Sequence, residues 1–155
     1  MKREQGIVLA GLGLLLYKAF SKPKNNQGFK GLGGTITSTM TRKNGIIIHQ
    51  GIRGQWENSG KTNAEINLKA GTIRIYGERN ERTFDRTFRV GDEAEYDSWN
   101  MNYLAPIIAI GPKTVTFKKA GNGYPDRRLD LSEFIARNYN LNVEKIKKYN
   151  SEYLD

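Results

Sequence analysis

One strongly apolar block, residues 6–20 (GIVLAGLGLLLYKAF), lies near the N-terminus of this 155-residue chain, and basic residues flank it on both sides. A helix of this length extends about 22 Å, whereas the hydrocarbon core of a bilayer is about 30 Å thick. Snorkelling lysines and a locally thinned bilayer make up part of the difference. The block therefore predicts a short membrane-anchor helix. Its anchor residues are Gly6, Ile7, Val8, Leu9, Leu12, Leu14, Leu15, Leu16, Tyr17 and Phe20, and its lipid head-group residues are Lys2, Arg3, Lys18, Lys22 and Lys24.

Two other interpretations of the block stay open. A cleaved signal peptide has the same charged start and short apolar run, but the stretch YKAFSKPKN offers no good small-x-small cleavage site. A helix of this length is also typical of one that is buried in a protein partner. More basic residues follow the block than precede it, which favours the cytoplasmic side for the rest of the chain.

The distribution of charge points to the partner of the basic surface. The chain has a formal net charge of +9, and residues 1–30 hold six Lys or Arg against one Glu, a net of +5, which leaves +4 for the remainder. Because most of the excess lies beside the apolar block, anionic lipid head groups are the expected main partner, and nucleic acid is a secondary one. The absence of Cys excludes disulfides and zinc–thiolate chemistry.

The composition changes twice along the chain, which predicts three parts. Residues 1–20 form the anchor helix, and residues 21–34 (SKPKNNQGFKGLGG) form a flexible basic linker that spans up to about 40 Å when extended. Residues 35–155 are expected to form a β-rich domain. Its short strands include a hairpin turn at Asn44-Gly45, between residues 35–40 and 46–50. A second hairpin is expected at residues 69–71, between residues 64–68 and 72–76.

The second half of this domain resembles a small SH3-like β-barrel. The resemblance covers about residues 88–131 and depends on the motif VGD at 90–92, the turn at Gly111-Pro112 and the strand TVTF at 114–117. Two helices are expected to close the chain. Asp130 and Glu133 form a capping box before the first, and Asn142 caps the second. The predicted fold class is α+β, mainly antiparallel β with C-terminal helices.

Three features resemble catalytic or binding motifs, and each has a simpler explanation. The run SGKT at residues 59–62 resembles the end of a P-loop, but no apolar strand precedes it and Gly54 is one residue too early. His49, the single histidine, ends an Ile-rich strand and is interpreted as a packing residue. A third feature is an acidic set without calcium-loop spacing, which indicates a solvated loop. Its members are Asp92, Glu93, Glu95 and Asp97.

Two groups of basic residues are candidates for contact with phosphate. In the first group acidic residues are interspersed, so cross-strand ion pairing on a solvated sheet face is the favoured interpretation. It consists of Arg74, Arg79, Arg82, Arg86 and Arg89, with Tyr76, Phe84 and Phe88 between them. The second group is less diluted by acids and is the preferred phosphate-binding patch. It consists of Lys113, Lys118, Lys119, Arg127 and Arg128.

The order of basic start (MKREQ), short apolar run and basic connector resembles the membrane-anchored minor structural proteins of tailless, lipid-containing bacteriophages. The resemblance implies a non-enzymatic virion protein that ties an internal membrane to the capsid, near the vertices, with lipid and other structural proteins or its own copies as partners. It implies a location at the membrane–capsid interface or the host inner membrane. No cofactor, metal or small-molecule substrate is expected. The alternative function is a membrane-localised SH3-like module that binds nucleic acid.

Overall fold

The computed structural model describes residues 35–98, 101–118 and 125–154, with side chains as far as Glu152. The predicted anchor helix, the predicted linker and Lys119 lie outside the described residues. Residues 36–155 form one compact unit. The described strands are β1 (Thr37–Lys43), β2 (Ile46–Arg53), β3 (Thr62–Asn67), β4 (Thr72–Arg79), β5 (Arg82–Arg89), β6 (Glu93–Ser98), β7 (Asn102–Ile110), β8 (Thr114–Phe117) and β9 (Arg127–Asp130), and the helices are α1 (Leu131–Asn138) and α2 (Val143–Leu154).

The first five strands form an antiparallel meander in the order β1-β2-β3-β4-β5. The predicted hairpin at Asn44-Gly45 is confirmed: both residues have positive φ, at 54° and 79°, as a type I′ turn requires. The hairpin at residues 69–71 is confirmed between β3 and β4. One face of the meander is apolar because Ile alternates with polar residues along the central strands. Its fully buried residues include Ile47, Ile52, Ala64, Ile66, Ile73 and Ile75.

The remaining strands form a second antiparallel sheet in the order β6-β7-β8-β9, and the antiparallel sheets of the fold include a curled half-barrel. Ile107, Val115 and Phe117 point into the same core as the isoleucines of the meander. The Phe134 side chain on α1 joins both sheets. Its ring centroid lies 5.2 Å from that of Phe88 on β5 and 6.1 Å from that of Phe117 on β8. The mainly β fold with two C-terminal helices is therefore as predicted.

Both C-terminal helices begin at the predicted caps. Asp130 Oδ1 accepts a 2.8 Å hydrogen bond from Glu133 N, and Asn142 Oδ1 accepts a 3.0 Å bond from Lys145 N. The Glu133 side chain, however, does not complete a capping box. It is 3% exposed and pairs with Arg127 and Arg137, because two guanidinium groups stabilise a buried carboxylate better than a single backbone N–H does.

An amide side chain closes the free edge of β6. Asn138 Oδ1 accepts from Glu95 N at 2.8 Å, and its Nδ2 donates to Glu95 O at 3.0 Å. The side chain therefore makes the two hydrogen bonds that a neighbouring strand would make. Within the described part of the chain, neither helix combines the length and the apolar character that crossing a bilayer requires.

Candidate functional site

The structure separates the members of the preferred phosphate-binding patch. Lys113 lies in the β7–β8 turn, whereas Lys118 follows the other end of β8, about 17 Å along the chain. Arg128 lies opposite Thr116 and is exposed near the Lys118 end. Arg127 is already paired, with Asp97 at 3.0 Å and Glu133 at 3.1 Å. Among the described members, Lys118 and Arg128 are thus the two that share one end of the sheet, and phosphate binding there stays a prediction.

Cross-strand pairing occupies the central arginine of the first basic group. Arg74 on β4 contacts Asp85 on β5 at 2.7 Å and Glu65 on β3 at 3.3 Å, and its guanidinium lies 4.3 Å from the centre of the Tyr76 ring. Its hydrogen bonds hold the pKa of Asp85 below the usual value. Arg86, in contrast, donates to the Leu141 carbonyl at 2.6 Å. The ion-pairing interpretation is confirmed for Arg74.

A buried ion cluster holds α1 against the second sheet. The Arg137 side chain is 8% exposed and lies 2.8 Å from Glu133 and 3.5 Å from Glu95, while the Trp56 ring centre lies 4.8 Å from its guanidinium carbon. Burial raises the pKa of Glu95, and Arg137 opposes that effect. The cluster therefore keeps two carboxylates inside the fold: Glu95 is compensated by Arg137, and Glu133 by Arg137 together with Arg127.

The four acidic residues at positions 92, 93, 95 and 97 form ion pairs or hydrogen bonds within the domain. Glu95 belongs to the buried ion cluster, Asp97 pairs with Arg127, and Glu93 lies 2.7 Å from Lys147. Asp92 accepts a hydrogen bond from the backbone N–H of Arg89 at 3.0 Å. Across residues 35–98, 101–118 and 125–154, no group of three or more His, Cys, Asp or Glu side chains is arranged to hold a metal ion.

His49 is fully buried and joins the two sheets. Its Nε2 lies 2.8 Å from the Pro112 carbonyl oxygen, and its Nδ1 lies 2.7 Å from Ser38 Oγ. Because a carbonyl only accepts, Nε2 carries the proton and Nδ1 accepts from the Ser38 hydroxyl. Burial lowers the pKa of His49 to about 4, and the charges of Lys113 and Arg42 act in the same direction.

The Ser38–His49 hydrogen bond resembles that of a serine activated by a histidine base, but the charges around His49 do not suit a base. A general base works best when its pKa lies near the working pH, and two neighbouring cations disfavour the imidazolium that proton transfer would create. The sequence interpretation of His49 as a packing residue agrees with its complete burial. The signal that sequence inspection missed is its partner, Ser38, which lies on the neighbouring strand β1, two residues before Met40, the residue opposite His49.

The run at residues 59–62 belongs to a surface groove of about 460 Å³ beside the β2–β3 loop. The run leads directly into β3, so no helix follows it to present backbone N–H groups to a phosphate. Four of the charged side chains that line the groove form two ion pairs: Glu57 lies 2.9 Å from Arg79, and Lys61 lies 3.9 Å from Glu78. The P-loop interpretation therefore finds no support in the local geometry.

Basic side chains that form no ion pair with a described residue lie together at one end of the meander, which we call the cationic end. Sequence inspection did not single them out. Lys43, Asn67, Thr72 and Arg89 belong to one row across the five strands, and Lys69 lies in the turn just beyond that row. We define the cationic end as Lys43, Lys69 and Arg89 together with three exposed apolar side chains, Leu68, Val90 and Ile108. These three basic side chains make no ion pair or side-chain hydrogen bond with the described residues.

Comparisons with known proteins give no relative for this chain. No protein-family model, no curated protein and no solved structure matches it.

Proposed function

We propose that this protein is a non-enzymatic, membrane-anchored structural protein that tethers a bilayer to a protein shell, as a minor capsid or vertex-associated virion protein would. The observation that carries the proposal is the partition of charge in the described domain. Eight of the fourteen described carboxylates are held in ion pairs, whereas eleven of the eighteen described Lys and Arg side chains are exposed and have no ion pair with a described residue. These exposed cations are Arg42, Lys43, Arg53, Lys69, Arg82, Arg89, Lys113, Lys118, Arg128, Lys145 and Lys148.

An excess of free cations suits a domain that works close to an anionic surface, because each exposed Lys or Arg near a charged bilayer contributes about 1 kcal/mol to binding. The apolar block at residues 6–20 and its basic flanks would provide the anchor, and the basic linker would span the gap to the shell. The role of the β-rich domain would be to contact shell proteins or its own copies. The tether would act mechanically, with no chemical step.

A second candidate is an SH3-like module that binds nucleic acid. A small SH3-like barrel consists of short antiparallel strands, and β6 to β9 form a four-stranded antiparallel sheet. The observation that favours this candidate is the pair of exposed cations Lys118 and Arg128 at one end of that sheet. Phosphate contacts of this kind would make binding steeply salt-dependent.

Deletion of residues 1–20 tests the proposed function. The full chain should float with neutral phosphatidylcholine vesicles in a density gradient, and the shortened chain should stay at the bottom with an unchanged far-UV circular dichroism spectrum. A shortened chain that still floats with neutral lipid would contradict the anchor. A salt titration of residues 31–155 against single- and double-stranded DNA tests the alternative: submicromolar, salt-sensitive binding would favour the nucleic-acid module.

A further inference from the structure

We propose that the cationic end is a second membrane-contact surface, which docks the β-rich domain on an anionic bilayer. The inference rests on the proposed function for its membrane, but it concerns different residues. Its ligand is the phosphate- and carboxylate-bearing surface of an anionic lipid layer, with acyl chains beneath it.

Backbone contacts bring the apolar residues of the cationic end together. Val90 N donates to Gly71 O at 3.0 Å, which places Val90 against the turn that contains Leu68. Gly91 N donates to Ile107 O at 2.8 Å, which places Ile108 beside the β5–β6 turn. Leu68, Val90 and Ile108 are 41%, 45% and 39% exposed, so three large apolar side chains face solvent within one end of the domain.

The basic residues form a border around this apolar group. Lys43 and Arg89 stand at opposite ends of one row across five strands, about 19 Å apart at 4.8 Å per strand, and Lys69 projects from the turn between them. The carboxylate of Asp92, in the turn after β5, accepts a hydrogen bond from Arg89 N. Apolar side chains bordered by cations match the layering of a bilayer, which has anionic head groups outside and hydrocarbon inside.

A soluble protein partner fits this surface less well. A protein interface of standard size buries about 800 Å² per partner and has an apolar centre from which charged residues are depleted. Here the apolar group consists of three side chains on turns and strand ends, and cations stand directly beside it. Shallow insertion of three side chains needs no complementary shape, whereas a protein partner does.

The test uses the full chain and a single fluorescent label, which the absence of native cysteine allows. Val90→Cys carries an environment-sensitive nitrobenzoxadiazole probe at the cationic end. Thr83→Cys is the matched control: it is exposed on the same strand, β5, about 24 Å away at the opposite end. Each labelled chain is mixed with phosphatidylcholine vesicles, with or without phosphatidylserine, and with duplex DNA.

We expect a blue shift and an intensity gain for the Val90→Cys probe with phosphatidylserine vesicles only, and no change for the Thr83→Cys probe. Adding Lys69→Glu and Arg89→Glu should lower the docked-to-undocked ratio at least 25-fold, since each lost cation is worth about fivefold. Lys145→Glu with Lys148→Glu, which changes net charge equally on α2, should preserve the shift.

The results also separate this inference from the anchor. Suppose that the chain floats with neutral vesicles but the Val90→Cys probe does not respond to phosphatidylserine. This result would overturn the second membrane contact and would still support the anchor. A chain that fails to float with neutral vesicles, yet gives the shift with phosphatidylserine, would refute the anchor and support the second contact. An equal shift at Thr83→Cys, equal loss in the α2 variant, or a shift with DNA alone would each overturn the inference.

Discussion

Lowering the pH from 8 to 5 should destabilise the β-rich domain. Among the side chains that ordinarily titrate in this pH range, His49 alone is responsible. The pKa of His49 is about 4 in the folded protein and 6.5 in the unfolded chain, so the unfolded state takes up the proton first as the pH falls. The contribution of His49 is therefore fully present above pH 6.5 and is lost as the pH falls toward 4. The full loss is about 3 kcal/mol, of which about 2 kcal/mol is lost by pH 5.

Urea denaturation of the chain without residues 1–20, followed by far-UV circular dichroism at pH 8, 6.5 and 5, measures this loss. His49→Gln is the matched control because His49 is the single histidine, so the variant should lack the loss of about 2 kcal/mol that His49 contributes between pH 8 and 5. Glu95, whose pKa is raised, acts in the opposite direction in both proteins and cancels in the comparison. An equal pH dependence in both proteins, or none in the parent, would refute the burial argument.

Two further substitutions test the interior. Arg137→Met should lower the free energy of unfolding by about 3–5 kcal/mol, because it leaves Glu95 buried without a counter-charge and leaves Glu133 paired with Arg127 alone among the described cations; a loss below 1 kcal/mol in urea denaturation would show that the buried ion cluster is not needed. Gly77→Ala should lower the melting temperature, since its φ is +135° and its Cβ would lie against the Lys61 carbonyl; Gly45→Ala, which also has positive φ (+79°) but open space around it, should cost less.

Local sequence signals predicted most of the secondary structure. The Asn44-Gly45 turn places its hairpin because few other residues accept two successive positive φ angles. The first C-terminal helix begins where Asp130 accepts a backbone N–H, again a contact over three residues. Signals of this kind involve residues that are close together in the chain, so a short stretch of sequence is enough to show them. Strand ends were less accurate, since β1 and β2 continue for three residues beyond the predicted limits.

Contacts between residues that are far apart in the chain could not be predicted from such short stretches of sequence. His49 meets Pro112 across 63 residues, and Arg137 meets Glu95 across 42, because the two sheets and α1 close around one core. The predicted capping-box role of Glu133 was wrong although both of its actual partners are close in sequence: Arg137 lies four residues after it and Arg127 six residues before it. The residues of the predicted phosphate patch were grouped because they are close in sequence. In the structure the described ones lie at different ends of the β7–β8 hairpin.

Net charge alone also misses the cationic end. At physiological ionic strength the Debye length is about 8 Å, so a bilayer attracts only those cations that lie at the surface of contact. Lys145 and Lys148 on α2 add to the net charge without belonging to the row that ends at Lys43 and Arg89. Ion pairing removes most carboxylates from competition, and the meander then decides which free cations act together. Position in the sheet, more than the charge total, therefore determines where this domain would meet an anionic surface.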